Sequence, residues 1–250
     1  MFRDLPRPLV IAHRGASAHA PENTIAAFEV AAKQGANAIE LDAQLSADDQ
    51  PVVFHDLTLG RTTDGEGRLS QKSVAELREL DAGRRFGPQF AGQRIPLLDE
   101  VFSALGRRIL INVHLQSYPG GRPRLVEMVC ELIERHHLQG RVFLSSFNPL
   151  DLGRAKRLLP EAAGCLLAAP GWLGAWARSF GFSFGSYAAL HPNVKDVNPQ
   201  QVSRLHRLGR RLHAWTANDP STVARLRMWG ADGLFTDDPQ MACRALGLSQ

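Results

Sequence analysis

Cysteine is scarce in this sequence, which has 3 cysteines among 250 residues and no CxxC pair. Cys130, Cys165 and Cys243 lie far apart along the chain. Three distant thiols cannot all pair, so the sequence argues against a disulfide framework and against a zinc site made of thiolates. We therefore expect a reducing, cytoplasmic environment.

A long apolar run is also missing. The most apolar stretch, residues 162–177, is interrupted by Pro170, Gly171 and Gly174 and is too short to span a bilayer. The first ten residues, MFRDLPRPLV, do not show a charged segment followed by a long apolar one, so no signal peptide is expected. Both observations argue against stable insertion into a membrane.

Neither sign of charge dominates the composition. The 29 Lys and Arg residues outnumber the 25 Asp and Glu residues, which gives a net charge of +4 with histidine neutral. A basic stretch at 204–213 carries leucines at regular spacing, which favours a helix with a solvated basic face. We expect no nucleic-acid partner, and the sequence leaves the oligomeric state open.

Short apolar runs alternate with segments of helical periodicity along the whole chain. Most runs are continuous rather than alternating, which is typical of strands that are buried on both faces. Eight such units predict a single α/β domain over residues 1–250, a (β/α)8 TIM barrel, with a doubly wound open sheet as the alternative. The runs are 9–12, 38–45, 109–115, 142–145, 164–168, 187–190, 212–215 and 233–235.

Four of the predicted helices share a start signal, an Asn or Asp followed by Pro. The first residue of each pair is a good N-cap, and the proline suits the first helical position. A polar segment, residues 56–96, interrupts the rhythm, and we expect it to form a small insertion at the barrel mouth without a core of its own. The four start signals lie at 148–149, 198–199, 219–220 and 238–239.

Several predicted strands end in residues that suit catalysis, and the reacting groups of a TIM barrel lie at the carboxyl ends of its strands. Glu40 and Asp42 are two residues apart on a strand, so both carboxylates point to the same face. Two buried carboxylates repel each other and are costly to desolvate, and a divalent cation resolves that conflict. The alternative is a solvated or salt-bridged pair.

Three histidines and an arginine extend this set. His13 and His55 each end an extended run and suit a general acid and a general base near neutral pH. Arg14 offers a fork of donors for a phosphate group, with a salt bridge as its structural alternative. His114 and Gln116 point to one face of a strand, where His114 is either a metal ligand or a core histidine.

The order and spacing of short motifs across nearly the whole chain resemble the glycerophosphodiester phosphodiesterase family. The resemblance implies a TIM barrel with a small insertion after the second strand. It also implies a small-molecule substrate, a glycerophosphodiester, which is hydrolysed with a metal ion to glycerol 3-phosphate and an alcohol through a cyclic phosphate. The motifs include HRG at 13–15, PENT at 21–24, IELD at 39–42, HD at 55–56, RTT at 61–63, WTAN at 215–218 and GADG at 230–233.

The resemblance assigns roles to residues of this chain, and it departs from the family's pattern on the third strand. The family usually has a Glu there as the third metal ligand and a Lys two residues later, whereas this chain has His114 and Gln116. The resemblance implies Mg²⁺ or Ca²⁺, while an imidazole ligand favours Mn²⁺, Fe²⁺ or Zn²⁺. The implied residues are Glu40, Asp42 and His114 for the metal, His13 and His55 for acid/base catalysis, and Arg14, Gln116 and Trp215 for the substrate.

Two other functions fit the same residues. The two replacements on the third strand are compatible with a catalytically impaired protein of this fold that binds phosphate esters. An aromatic-rich patch after the fifth strand is compatible with a lysophospholipase D-like hydrolase. An aldolase or isomerase needs a Lys or Glu base in place of two histidines and fits least. The patch consists of Trp172, Trp176, Phe180, Phe182 and Phe184.

Overall fold

A closed barrel of parallel strands forms the centre of the molecule. The structure, a computed structural model, describes residues 5–116 and 124–248. Each of the eight apolar runs of the sequence contributes one barrel strand, with ends that differ by at most two residues. The strands are β1 (Leu9–Ala12), β2 (Ala38–Leu45), β3 (Pro51–Val53), β4 (Leu110–Leu115), β5 (Val142–Ser146), β6 (Ala163–Ala168), β7 (Ala189–Pro192), β8 (Arg211–Ala214) and β9 (Gly233–Thr236).

The barrel closes through parallel pairing. Its strands are neighbours in the order β1, β2, β4, β5, β6, β7, β8 and β9, and β9 pairs again with β1. The short β3 is the exception, since it runs antiparallel to β2 at the edge. This ring of eight parallel strands confirms the TIM barrel and excludes the open doubly wound sheet.

Helices alternate with the barrel strands and cover them. The Asn-Pro and Asp-Pro signals are confirmed, since each Asn or Asp accepts a hydrogen bond from a backbone N–H of the helix that follows. No helix in the described part of the chain is both long and apolar enough to cross a membrane. The helices are α1 (Ile25–Lys33), α2 (Val74–Arg78), α3 (Leu98–Leu105), α4 (Arg124–Arg135), α5 (Pro149–Leu158), α6 (Phe182–Phe184), α7 (Pro199–Arg207), α8 (Pro220–Met228) and α9 (Pro239–Ala245).

Most residues of the barrel strands are buried on both faces of the sheet, which explains the continuous apolar runs. On β2, Ala38 belongs to the cluster inside the barrel, whereas Ile39 and Leu41 belong to the layer between strands and helices. Successive side chains of a strand point to opposite faces. The alternation therefore places Glu40 and Asp42 inside the barrel.

Residues 56–96 lie between β3 and α3 and contribute no barrel strand. They contain α2 and three short 3₁₀ turns, at Leu59–Arg61, Leu69–Gln71 and Pro88–Phe90. The expectation that this segment lacks a core is wrong, because a segment this long must bury side chains to offset the entropy of ordering it. Its apolar cluster, separate from the barrel, consists of Leu59, Leu69, Leu77, Ala82 and Ile95, with Val52 and Phe54.

The connection from β6 to β7 has short helical turns in place of a regular helix. A 3₁₀ turn at Gly171–Gly174 and a π-helical turn at Ala177–Gly181 lead into α6. Phe182, at the start of α6, is buried. The side chains of residues 180 and 184, which belong to the predicted aromatic patch, lie outside the described part of the structure.

Two histidines are buried inside the barrel. His191 on β7 and His213 on β8 have no exposed surface, and Nε2 of His191 lies 3.1 Å from Nδ1 of His213. Burial lowers the pKa of His213 to about 3. Burial and the neighbouring His213 lower the pKa of His191 well below its usual value. Both imidazoles are therefore neutral in the folded protein at pH 7.

We predict that this histidine pair makes the protein sensitive to acid. Between pH 6.5 and about 3 an unfolded histidine binds a proton that folded His213 excludes, so its contribution is complete above pH 6.5 and is lost as the pH falls. The loss approaches about 1.4 kcal/mol per pH unit for each imidazole. Urea unfolding over about pH 4 to 7 measures this slope of the free energy of unfolding.

The His213→Asn variant should flatten this pH dependence. His137→Asn is the control, because the side chain of His137 is exposed and lies outside the barrel interior. Equal slopes in the parent protein and in His213→Asn would contradict the prediction.

Candidate active site

One cavity at the carboxyl ends of the strands gathers most of the predicted site residues. Its volume is about 180 Å³. Gln116 lies beside the cavity rather than in its lining. The lining includes His13, Arg14, Glu40, Asp42, His55, His114 and Trp215 from the predicted set, together with Asn112, Ser145, Phe147, Leu167 and Phe235.

A left-handed turn after β1 brings His13 and Arg14 to the barrel mouth. Arg14 has a φ of 56° and Gly15 a φ of 83°, the region that favours glycine. A Cβ at Gly15 would lie 2.7 Å from the Cβ of Ala27 on α1, so a side chain does not fit there. The turn lets the backbone N–H of Arg14 donate to Oε2 of Glu40 at 2.9 Å.

Glu40 and Asp42 are almost fully buried, at 4% and 1% exposed. One carboxylate oxygen of each and a ring nitrogen of His114 all lie within 4.8 Å of one another. Burial and the charge of Asp42 raise the pKa of Glu40. Burial also acts on Asp42, but the hydrogen bond and charge of His114 and the charge of Arg14 outweigh it, so the pKa of Asp42 is lowered.

Neighbouring side chains supply hydrogen-bond donors and positive charge to Asp42. Asp42 accepts a hydrogen bond from Nδ2 of Asn23 at 2.9 Å and lies 2.9 Å from Nδ1 of His114. Nε of Arg14 lies 3.4 Å from the same carboxylate. The salt-bridged alternative for the acidic pair is therefore present at Asp42, alongside the cluster with His114.

His13 is held by a carboxylate just after the last barrel strand. Its Nδ1 lies 2.7 Å from Oδ1 of Asp237, and Ser17 and Asn218 fix Asp237 by donating to it. Burial lowers the pKa of His13, but the hydrogen bond to Asp237 and the charge of Glu40 outweigh burial and raise it. Because Nδ1 is engaged, Nε2 is the nitrogen left for proton transfer.

His55 has the same kind of partner. Its Nδ1 lies 2.6 Å from Oδ1 of Asp56, and hydrogen bonding to Arg61 lowers the pKa of Asp56 against the effect of burial. Arg61 also donates to both carboxylate oxygens of Glu22 at 2.7 Å. Glu22 accepts in turn from Nη1 of Arg14 at 2.9 Å, so one series of ion pairs joins His55 to Arg14.

Gln116 and Trp215 contact the site in different ways. The amide nitrogen of Gln116 donates to the carbonyl oxygen of His55 at 3.1 Å and lies 3.5 Å from Oδ1 of Asp42. The ring of Trp215 meets Phe147 edge-on, with ring centres 6.2 Å apart. Part of the cavity wall is therefore apolar and aromatic.

Comparison with known proteins identifies the family. Residues 13–241 match the model of the glycerophosphoryl diester phosphodiesterase family. The glycerophosphodiester phosphodiesterase of Caldanaerobacter subterraneus subsp. tengcongensis is 39% identical over 94% of this chain and 96% of its own length. This chain belongs to the glycerophosphoryl diester phosphodiesterase family.

Solved structures of this family have the same fold. A phosphodiesterase from Oleispira antarctica, in complex with the product sn-glycerol-3-phosphate, is 36% identical, with a TM-score of 0.86 over 96% of this chain and 97% of that one. A glycerophosphodiester phosphodiesterase from Agrobacterium tumefaciens str. C58 is 26% identical, with a TM-score of 0.82 over 94% of this chain and 98% of that one. As a member of the family, the chain is a phosphoric diester hydrolase.

The structure adds partners to the glycerophosphodiester phosphodiesterase site that were not assigned from the sequence. Asp56 directly follows His55, and Asp237 directly follows β9, so position next to a site residue or a strand end is the signal for both. Asn23 holds Asp42 from a left-handed conformation, with a φ of 57°, which Asn tolerates better than most residues. Nothing in the sequence marked Asn112 as a site residue beyond its position in a predicted strand.

The donor set fits a divalent cation, the cofactor implied by the family resemblance. Glu40 and Asp42 offer carboxylate oxygens and His114 a ring nitrogen within 4.8 Å. Burial and the charge of Asp42 raise the pKa of Glu40, and a divalent cation beside both carboxylates would relieve this conflict. With His114 in place of the family's usual Glu, the set carries less negative charge and favours softer metals than Mg²⁺ or Ca²⁺.

We predict that Asp237 maintains the raised pKa of His13. In Asp237→Asn the charge is lost while the shape of the side chain remains, so the pKa of His13 should fall. An NMR titration of the imidazole signals measures this pKa, and the exposed His137 is the control in the same spectra. An unchanged pKa of His13 would show that Asp237 contributes only to packing.

Proposed function

We propose that this chain hydrolyses glycerophosphodiesters to glycerol 3-phosphate and an alcohol. The observation that carries the proposal is that His13, His55 and the Glu40–Asp42–His114 cluster share one cavity. Membership of the family supports it. The Oleispira antarctica phosphodiesterase, at 36% identity, was solved with sn-glycerol-3-phosphate as its product.

A divalent cation is part of this proposal. Glu40, Asp42 and His114 would hold it, and when bound it acts as a Lewis acid that polarises a phosphoryl oxygen. The family resemblance favours Mg²⁺ or Ca²⁺, whereas the imidazole of His114 favours Mn²⁺, Fe²⁺ or Zn²⁺.

The two histidines divide the proton transfers. One of them removes the proton from the 2-hydroxyl of the glycerol moiety, whose oxygen attacks phosphorus and forms a cyclic phosphate. The other protonates the oxygen of the departing alcohol, and water then opens the ring. Attack by a group of the substrate itself is worth about 7–11 kcal/mol of barrier, and each general acid or base adds about 10²–10⁴-fold.

Three further side chains would contact the substrate. Arg14 lines the cavity with a guanidinium that Glu22 orients, which suits the phosphate. Trp215 lines the same cavity with its ring and would lie against the alcohol part. Gln116, whose amide now donates to the carbonyl of His55, can donate to the phosphate but cannot neutralise it.

We predict that His13→Ala and His55→Ala each lower kcat by at least about 100-fold, because each removes a proton-transfer group. Release of choline from glycerophosphocholine, and of ethanolamine from glycerophosphoethanolamine, measures the rate. His19→Ala is the matched control, since His19 contacts Asp238 and does not line the cavity. Turnover like that of the parent in either cavity variant would rule out the acid/base assignment.

The double variant His114→Glu, Gln116→Lys restores the family's usual residues on β4 and directly after it. We predict that its ratio of activity with Mg²⁺ to activity with Mn²⁺ rises by about tenfold or more, because a carboxylate is a harder ligand than an imidazole. EDTA should abolish the activity of both proteins.

Two outcomes would reject this account of β4. An unchanged metal ratio would show that His114 does not determine metal choice. Binding of glycerophosphocholine by the parent, without turnover at any metal, would instead identify a catalytically impaired phosphate-ester-binding protein.

A second candidate function is hydrolysis of lysophospholipids. Trp172, Leu173 and Trp176 are 84%, 66% and 56% exposed on the β6–β7 connection. Leu167, near the end of β6, lines the cavity. The exposed apolar residues therefore follow a cavity residue by only a few positions in the sequence. Exposed apolar surface of this kind suits an acyl chain.

The two substrate classes are separated by choline release from lysophosphatidylcholine and from glycerophosphocholine. If lysophospholipids are substrates, the double variant Trp172→Ala, Trp176→Ala should lose about tenfold or more on the lipid alone. Met228→Ala, which removes another exposed apolar side chain, 76% exposed on α8, should change neither rate. Equal effects of the tryptophan variant on both substrates would reject this candidate.

A reducing compartment such as the cytoplasm also fits the structure. Cys130, Cys165 and Cys243 are free and buried. Burial raises the pKa of each thiol, so the thiols stay protonated and unreactive. We propose that the enzyme works there on a water-soluble diester.

A further inference from the structure

Asn112 is a buried residue of the cavity with an acceptor that lacks a partner. Its side chain is 1% exposed and lines the cavity together with Glu40 and His114. Nδ2 donates to Oγ of Ser145 at 3.0 Å, whereas Oδ1 has no hydrogen-bond partner among the described residues. An unpartnered buried amide oxygen costs free energy, so this oxygen calls for an explanation.

The register of the strands indicates where this oxygen points. β2 and β4 pair so that Asn112 lies opposite Glu40, and His114 lies opposite Asp42. Residues two apart on a strand share a face, so Asn112 and His114 both point into the barrel. Nδ2 of Asn112 donates toward β5, the neighbour of β4 on the side away from β2, so the oxygen is the amide atom that does not face Ser145.

An amide oxygen only accepts, so in a buried position it needs a hydrogen-bond donor or a cation beside it. Glu40 and Asp42 also only accept when ionised, and Asn112 lies opposite Glu40 in the strand pairing, so a cation is a group that all three side chains could share. Amide oxygens are ordinary ligands of hard divalent cations. His114 replaces the carboxylate oxygen of the family's usual Glu with a softer nitrogen, and the amide oxygen of Asn112 would add a hard donor without adding charge.

We infer that Asn112 is a fourth protein donor of the cation site, with Oδ1 directed at the ion. The inference rests on the proposed function, which supplies the cation, and it adds a residue to the donor set of Glu40, Asp42 and His114. It assigns the bond between Asn112 and Ser145 the role of orienting the amide.

Binding of Mn²⁺ to the substrate-free protein tests this role without an activity assay. Calorimetric titration gives the affinity, and thermal unfolding with and without Mn²⁺ gives the stability of each form. Asn112→Leu keeps the size of the side chain and should weaken Mn²⁺ binding by about 10–100-fold. Its midpoint without metal should change little, because removal of an unpartnered acceptor offsets the loss of the hydrogen bond to Ser145. Asn112→Asp keeps an oxygen and should bind Mn²⁺ at least as tightly as the parent.

The outcomes separate this inference from the cation site itself. An unchanged Mn²⁺ affinity in Asn112→Leu, with His114→Ala impaired, would overturn the role of Asn112 and leave the cation site in place. A parent protein that binds neither Mn²⁺ nor Mg²⁺ nor Ca²⁺ would overturn both. If Asn112→Leu loses stability without metal, Asn112→Asp decides: parent-like or tighter binding supports the inference, and weaker binding overturns it.

Discussion

Two carboxylates lie side by side inside the barrel, and the rest of the site is arranged around the charge and the donors that they need. Glu40 and Asp42 are buried within 4.8 Å of each other and of His114. The strand alternation that places them there would be costly without compensation. Arg14 and Asn23 provide part of this compensation from left-handed positions in the segment between β1 and α1. Burial and the charge of Asp42 still raise the pKa of Glu40.

The two histidines at the barrel mouth have the same kind of hydrogen-bond partner, although they come from different parts of the chain. Each directs Nδ1 to an aspartate, His13 to Asp237 and His55 to Asp56, and both imidazoles line the cavity. Arg61, from the segment between β3 and α3, holds Asp56 and Glu22 together. Leu59 lies in the same 3₁₀ turn as Arg61 and belongs to the small apolar cluster of that segment, so the cluster also supports the side chain that holds the partner of His55.

This chain differs from the usual pattern of its family at β4, the third strand of the barrel, which carries His114. His114 keeps a ligand atom within reach of both acids but contributes no negative charge. Gln116 donates to the backbone carbonyl of His55 and carries no positive charge, whereas the family usually has Lys at this position. Asn112, two residues before His114 on the same strand, is the residue that we propose adds an oxygen to the donor set.

The sequence alone determined those features that depend on residues close together in the chain. The apolar runs define the strands, the Asn-Pro and Asp-Pro pairs define helix starts, and the two-residue spacing of Glu40 and Asp42 gives them one face, because each of these depends on neighbours in the chain. Closure of the barrel decides the rest. It brings Asp237 to His13 across 224 residues. The pairing of β4 with β2 sets Asn112 opposite Glu40, and the oxygen of Asn112 has no hydrogen-bond partner in the described part of the chain. Contacts of this kind depend on strand register and side-chain direction in three dimensions, which no spacing along the chain encodes.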